Sequence, residues 1–304
     1  MASPSEAGRV LVTGCSGFTG RYVVQALVQA GHAVIDAEGA GSPFDLTQPT
    51  TVSAAIRAAR PDYVIHLAAV SFVGHGDAAA FYAVNTVGTA NLLEAILAEG
   101  IQPRRVVVAS SANVYGNAVA EPILESTPPA PVNHYAASKL AMEHIARSYF
   151  DRLPIVLTRP FNYTGVGQAE SFLVPKLVAH FAERRPFLEL GNLDVVRDFS
   201  DVRAVAQAYL RLLGAEVPEA VTNLCSGVGR SLRWVLQQLR ELSGHDLEVR
   251  VNPAFVRASE VHRLVGSRSR MEAALGSLPF QDFRATLAWM LEQRSAGATV
   301  ARSP

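Results

Sequence analysis

Residues Arg9–Gly20, Arg-Val-Leu-Val-Thr-Gly-Cys-Ser-Gly-Phe-Thr-Gly, constrain this chain more than any other stretch. An apolar strand runs straight into Gly14, Gly17 and Gly20, and helical sequence follows over Arg21–Ala30. Backbone without side chains lets a tight turn form and lets a phosphate reach the positive end of the next helix. Three glycines at this spacing also suit an ordinary strand-to-helix turn. The flanking strand, the helix and the early position favour a phosphate cradle for a cofactor.

Short apolar strands and amphipathic helices then alternate. Strands are predicted at Val10–Thr13, Ala33–Ala37, Tyr63–Leu67 and Val106–Ala109, with helices to Ala30, at Thr51–Ala59 and at Phe81–Glu99. Helix Tyr135–Phe150 and strand Ile155–Arg159, ended by Pro160, continue the rhythm. The pattern predicts an α/β fold with a doubly wound parallel Rossmann sheet. After Asn162 the segments are less regular: helices at Phe172–Arg185, Val202–Leu213 and Leu232–Ser243, strands at Phe187–Leu190, Ala220–Leu224 and Leu247–Val251. These predict a smaller C-terminal substrate-binding lobe over 162–304, interleaved with the last elements of the sheet, after a dinucleotide-binding domain over 1–161. Ser295–Pro304 is expected to be a frayed tail.

A chain of 304 residues, 49% apolar, can bury a full core without disulfides or metal. Basic and acidic residues number 27 each, so no overall field draws in nucleic acid or an anionic membrane. Cys15 and Cys225 are too few and too far from other ligand types for a metal site, and are expected to be small buried packing residues in a reducing cytosol. No apolar run approaches the roughly 20 residues that span a bilayer, so a soluble cytoplasmic protein is expected.

The second predicted strand ends at Asp36-Ala37-Glu38. An acidic side chain there can accept hydrogen bonds from adenosine ribose hydroxyls and repels a ribose phosphate, which favours NADH. Arg21 beside the glycine loop could instead serve that phosphate, so NADPH stays open. Asp45-Leu46 is positioned to suit the adenine, and Leu67, Ala68 and Ala69 are small enough for close passage of the cofactor. Each also suits plain packing.

Tyr135-Ala-Ala-Ser-Lys139 carries the chemistry. Residues four apart share a helix face, so phenol and ammonium can point at one place. A phenol with a reference pKa of ~10 exchanges protons poorly near neutrality, and an adjacent cation is expected to draw that value down. Ser111, closing a strand just before, can donate to the same substrate oxygen, or simply cap the turn.

At these residues the chain resembles the extended short-chain dehydrogenase/reductase family, also described as NAD-dependent epimerases and dehydratases. The resemblance rests on Thr13–Gly20, His66-Leu-Ala-Ala69, Asn85-Thr-Val-Gly-Thr89, Ser110-Ser-Ala-Asn-Val-Tyr-Gly116 and Tyr135-x-x-x-Lys139, and it covers nearly the whole chain. It implies catalysis by Ser111, Tyr135 and Lys139. It also implies cofactor contacts from the three glycines with Phe18 and Thr19, and from Asn85 and Pro160. Arg159-Pro-Phe-Asn162, Gly165-Val-Gly-Gln168, Leu190-Gly-Asn-Leu-Asp194 and Arg197–Val202 are similar to the branch acting on GDP-mannose and GDP-4-keto-6-deoxyhexoses. That likeness implies a substrate site from Ser71, Ser111, Asn113, Asn162, Val174 and Lys176. Arg197 and Arg257 would neutralise the diphosphate, and Glu260 would contact the nucleotide ribose or base.

Dehydratases of this family carry a carboxylate two residues after the catalytic Ser or Thr. Here that residue is Asn113, whose amide can orient a hydroxyl but cannot cycle a proton. The expected activity is therefore NAD(P)H-dependent reduction of the C4 ketone of a GDP- or dTDP-linked 4-keto-6-deoxyhexose. The alternative is a nucleotide-sugar epimerase with tightly bound NAD. A non-catalytic dinucleotide-binding protein would have no use for the trio. A homodimer through the helices beginning near Phe81 and Tyr135 is the family-level expectation.

Overall fold

The computed structural model describes residues 6–38, 44–71, 76–217, 221–255 and 261–300, with side chains to Ser295 in the last stretch. Its first half follows the predicted alternation: β1 (Arg9–Thr13), α1 (Phe18–Gln29), β2 (Ala33–Asp36), α2 (Pro49–Ala59) and β3 (Tyr63–His66). Next come α3 (Ala78–Ala80), a π-helical stretch Phe81–Val87 and α4 (Gly88–Ala98), then β4 (Arg105–Ala109), α5 (His134–Arg147) and β5 (Ile155–Pro160). β6 (Asn162–Thr164), α6 (Leu173–Ala182), β7 (Phe187–Leu190), β8 (Val196–Asp201), α7 (Val202–Leu212) and β9 (Val221–Leu224) follow. The chain closes with β10 (Gly229–Ser231), α8 (Leu232–Ser243), β11 (Glu248–Val251), β12 (Arg263–Leu264), α9 (Ser269–Leu275) and α10 (Phe283–Val300).

Six parallel strands form the main sheet in the order β2-β1-β3-β4-β5-β9. Val10, Leu11 and Val12 of β1, Val64 and Ile65 of β3 and Val106–Val108 of β4 are wholly buried, because helices cover both faces. α1, α7 and α9 pack on one face around Val23, Leu27, Tyr209 and Met271. α2, α4 and α5 pack on the other around Ile56, Leu92, Ile96 and Met142. The chain order reverses at β1, between β2 and β3, and the crevice beyond the carboxyl ends of β1 and β3 is where such sheets bind ligands. The glycine loop leaves β1 at that point.

A second core joins α6, β7, β8, α8 and α10 through Leu177, Phe181, Leu188, Phe199, Leu239 and Leu287. β8 is its spine, flanked by β10 and β12 and also paired with β6. β9 and α7, from the second half of the chain, belong to the main sheet and its cover.

Three local differences have physical causes. The expected α-helix at Phe81–Glu99 opens as a π-helix, and there the buried Asn85 amide turns inward to bond Val70 and Ser138 rather than solvent. β6, β8, β10 and β12 lack an apolar alternation and owe their strand form to pairing with distant segments. The segment expected to fray continues as helix to Val300, because Phe283, Leu287, Met290 and Leu291 anchor α10 in the second core; 301–304 lie outside the described residues.

Candidate active site

Gly14 and Gly20 show why the loop is glycine. Gly14 has φ +77°, and a Cβ there would stand 2.9 Å from the Ala68 amide. At Gly20 a Cβ would lie 2.0 Å from the Gly14 carbonyl oxygen and 2.6 Å from that of Cys15. α1 can start this close to β1 only because that position is bare. Glu38 faces the loop: its carboxylate accepts from the Gly14 amide at 2.9 Å and from the Ser16 hydroxyl at 3.0 Å.

α5 brings the chemical groups to the neighbouring strand end. Asn133 caps it by accepting from the Ala136 amide at 2.9 Å, which fixes Tyr135 in its first turn and Lys139 in its second. The Lys139 ammonium, 3% exposed, donates to the Ala109 carbonyl at 2.7 Å. Ser111 caps the short turn Ala112–Tyr115 and accepts from the Asn113 amide at 3.2 Å. Tyr135 lies edge-on to Phe81, with ring centroids 6.0 Å apart.

Burial dominates the electrostatics of these groups. It pushes the Tyr135 phenol up to about 12, with the Ser111 hydroxyl pulling the other way. This corrects the expectation that Lys139 draws the phenol down: the ammonium is turned to Ala109 instead. Burial also lowers Lys139 to about 8, opposed by the charge of Glu143. A phenol that keeps its proton through the neutral range can serve as a proton donor.

These groups share a cavity of about 850 Å³. It runs from the glycine loop past Leu67, Ala68 and Ala69 to Ser111 and Tyr135, and on to Asn162, Val174, Asn192 and Arg197. Gly14, Gly17, Phe18, Thr19, Gly20, Glu38, Ser71, Asn113, Lys139 and Pro160 also line it. Among the described lining residues the charged ones are Glu38, Lys139 and Arg197. The bare cradle, the acidic Glu38 and the length of the cavity fit a nicotinamide dinucleotide with room for a second ligand. The described residues contain no cluster of side chains suited to a metal ion, and no helix among them is long and apolar enough to cross a membrane.

Other predicted residues stand back from the cavity wall. Asp45 bonds Thr47, and Leu46 packs under Gly88 with its carbonyl held by Asn91. Asn85 supports Val70 from behind. Lys176 donates to the Glu189 carbonyl and lies over the Phe255 ring. Arg21 points to the second lobe, donating to the Gly167 carbonyl at 2.9 Å. Arg257 and Glu260 lie outside the described residues.

Sequence reasoning missed Tyr163, which stacks on Phe18 at 6.1 Å and bonds the Thr19 hydroxyl at 2.7 Å. Tyr22 adds a bond to the Val166 carbonyl at 2.7 Å, so three residues of α1 hold the segment that walls the far end of the cavity. Phe172 and Phe255 were missed as lining residues as well; each is a lone aromatic with no periodic signal.

His66 ends β3 as a neutral strut. Its ring nitrogens meet the Thr13 hydroxyl at 2.7 Å and the Thr89 hydroxyl at 2.9 Å, and complete burial lowers it to about 3. The unfolded chain therefore takes up this proton first as pH falls. Stability from this group is fully present above about pH 6.5 and is lost as pH falls towards 3. Urea midpoints should fall between pH 6.5 and 5 in the wild type, and His66→Gln should flatten most of that slope. An unchanged slope in the variant would refute the assignment.

Residues 10–225 match the NAD dependent epimerase/dehydratase family, and the chain belongs to it. It is an NAD(P)-dependent oxidoreductase with the Rossmann-like fold of that family. It is 37% identical to the GDP-6-deoxy-D-talose 4-dehydrogenase of Aggregatibacter actinomycetemcomitans, over 94% of this chain and 98% of that one. It is 36% identical to the GDP-6-deoxy-D-mannose reductase of Pseudomonas aeruginosa, over 89% and 92%. The structure of RMD from Pseudomonas aeruginosa complexed with NADPH superposes with a TM-score of 0.85 at 33% identity, covering 97% of this chain and all of that one.

Proposed function

We propose that this protein reduces the C4 ketone of a GDP-linked 4-keto-6-deoxyhexose. The observation that carries the reading is the meeting of Ser111, Tyr135 and Lys139 on one wall of a cavity that begins at the glycine cradle, with the amide of Asn113 beside them. Both relatives above are named for a GDP-6-deoxyhexose, which supports GDP as the nucleotide.

When bound, the nicotinamide supplies the hydride. Tyr135 donates its proton to the sugar oxygen as charge develops there, and Ser111 donates a hydrogen bond to the same atom. Lys139 holds the cofactor ribose. Arg197, whose guanidinium bonds the Val196 and His262 carbonyls at the cavity wall, brings its positive charge to the diphosphate. Asn162 and Val174 flank the sugar end, with Ser71 at the rim. Glu38 supports NADH over NADPH, since a ribose phosphate beside its carboxylate meets like charge. Residues 1–161 chiefly hold the dinucleotide and 162–304 the sugar nucleotide.

The protein works as a homodimer in the cytoplasm in this reading. Exposed Tyr82 and Val87 before α4 and Ile145 on α5 support pairing through those helices, and two buried free thiols suit a reducing compartment.

The test is incubation with GDP- and dTDP-4-keto-6-deoxyhexoses and each reduced cofactor, with the product assigned by NMR. One cofactor oxidised per sugar reduced, fastest with the GDP sugar and NADH, is expected. GDP-mannose alone should yield no 4-keto product, because no carboxylate stands at position 113. A 4-keto product without reductant would overturn the reading, and epimer formation without net oxidation would establish the epimerase instead.

A further inference from the structure

Behind the catalytic wall lies an ion pair that the proposed chemistry does not use. Glu143, one turn beyond Lys139 on α5, has a side chain 1% exposed. It accepts from the Arg159 guanidinium at 2.8 and 2.6 Å and from the Ser110 hydroxyl at 2.6 Å. Arg159, from β5, also donates to the Tyr115 hydroxyl at 2.9 Å, and Tyr115 donates to Asn223 at 2.7 Å. Replacing a buried pair of this kind with well-packed apolar residues is often neutral or stabilising, so stability alone is a weak reason for its presence.

Its position supplies a better one. Lys139 grips the Ala109 carbonyl and Glu143 grips the Ser110 hydroxyl, so two successive turns of α5 fix two successive residues at the end of β4. The next residue is Ser111. We propose that Glu143 is a positioning residue for the proposed reduction, setting the end of β4 through Ser110 so that Ser111 and Tyr135 address one oxygen while Lys139 stays in place. The inference rests on the reductase reading for its kinetic arm alone.

Around Glu143 and Lys139 the charged and titratable groups are Arg159 from β5, Tyr115 from the turn after β4 and His66 from β3, the last facing Lys139; Glu125, paired with Arg270, lies beyond Tyr115. His66 is neutral across the working range and Arg159 stays charged, so an alkaline break near pH 8 belongs to Lys139. Glu143 raises that break by opposing the desolvation of the ammonium.

The test uses the full chain and whichever of NADH or NADPH the wild type binds more tightly. In Glu143→Gln the alkaline loss of cofactor affinity should move down by about one pH unit. Because a lone buried guanidinium can prevent folding, the double variant Glu143→Leu with Arg159→Met removes both charges and should move the break in the same direction by a smaller amount. Ser110→Ala should lower kcat roughly 10-fold to 100-fold with the sugar KM unchanged, as a misplaced donor does. A folded variant lacking Glu143 with the wild-type break would overturn the proposal, as would Ser110→Ala with full kcat. Absence of ketone reduction by the wild type would instead sink the reductase reading, and the cofactor titration would still decide the role of Glu143.

Discussion

Tyr135→Phe should turn over the sugar nucleotide roughly 10²–10⁴-fold more slowly than the wild type, with cofactor affinity nearly unchanged. The substitution keeps the ring against Phe81 and removes only the proton. Since burial holds that phenol up to about 12, it carries its proton across the neutral range, and the wild-type rate should show no acid limb from this group. Ser111, the other proposed donor to the oxygen, is kept in the variant, which is why residual turnover is expected. Single-turnover kinetics with saturating cofactor measure the effect directly. A variant within threefold of the wild type would remove Tyr135 from the proton path.

Gly20→Ala should damage cofactor binding rather than chemistry. The new methyl would meet two backbone oxygens, at 2.0 and 2.6 Å, and neither can rotate away as a side-chain tip would. Relief requires α1 to move off the loop, and overpacking of this kind typically costs about 1–3 kcal/mol, or roughly 5- to 150-fold in affinity if it falls on the bound state. Dinucleotide titration should show the weakening, and a thermal melt should show a lowered midpoint. Gly31 is the control: although its φ is +84°, no atom lies within 4 Å of a Cβ built there, so Gly31→Ala should leave cofactor affinity intact. Equal affinity in Gly20→Ala and the wild type would mean that the cradle does not hold the cofactor.

The parts of the fold legible in sequence are those whose signal is local. β1, β3 and β4 are buried on both faces, so they read as unbroken apolar runs, and Leu232–Ser243 declares both ends through Ser231 and Gly244. β8 was illegible because Arg197, Asp198 and Ser200 look like a polar loop. Asp198 is buried only because Ser226, Gly227 and Gly266, far along the chain, supply its donors. The shared face of Tyr135 and Lys139 was legible because helix spacing alone sets it, whereas Ser111 joins them in the cavity only through the fold. Glu143 was not: a carboxylate four residues past a lysine reads as a solvated pair until β5 brings Arg159 against it.

The bonds from Thr19, Arg21 and Tyr22 to Tyr163, Gly167 and Val166 make one helix answerable to two ligands. Its first turn lines the cavity at the glycine cradle, where the dinucleotide is proposed to sit, and its flank bonds the wall beside Asn162. Under the proposed function, a shift of α1 on cofactor binding would reach the wall beside Asn162 as a change in affinity for the sugar nucleotide, and by linkage the sugar nucleotide would return the same factor to the cofactor. Oxidised dinucleotide and finished sugar would then loosen together, which makes exchange of both a single event rather than two independent departures.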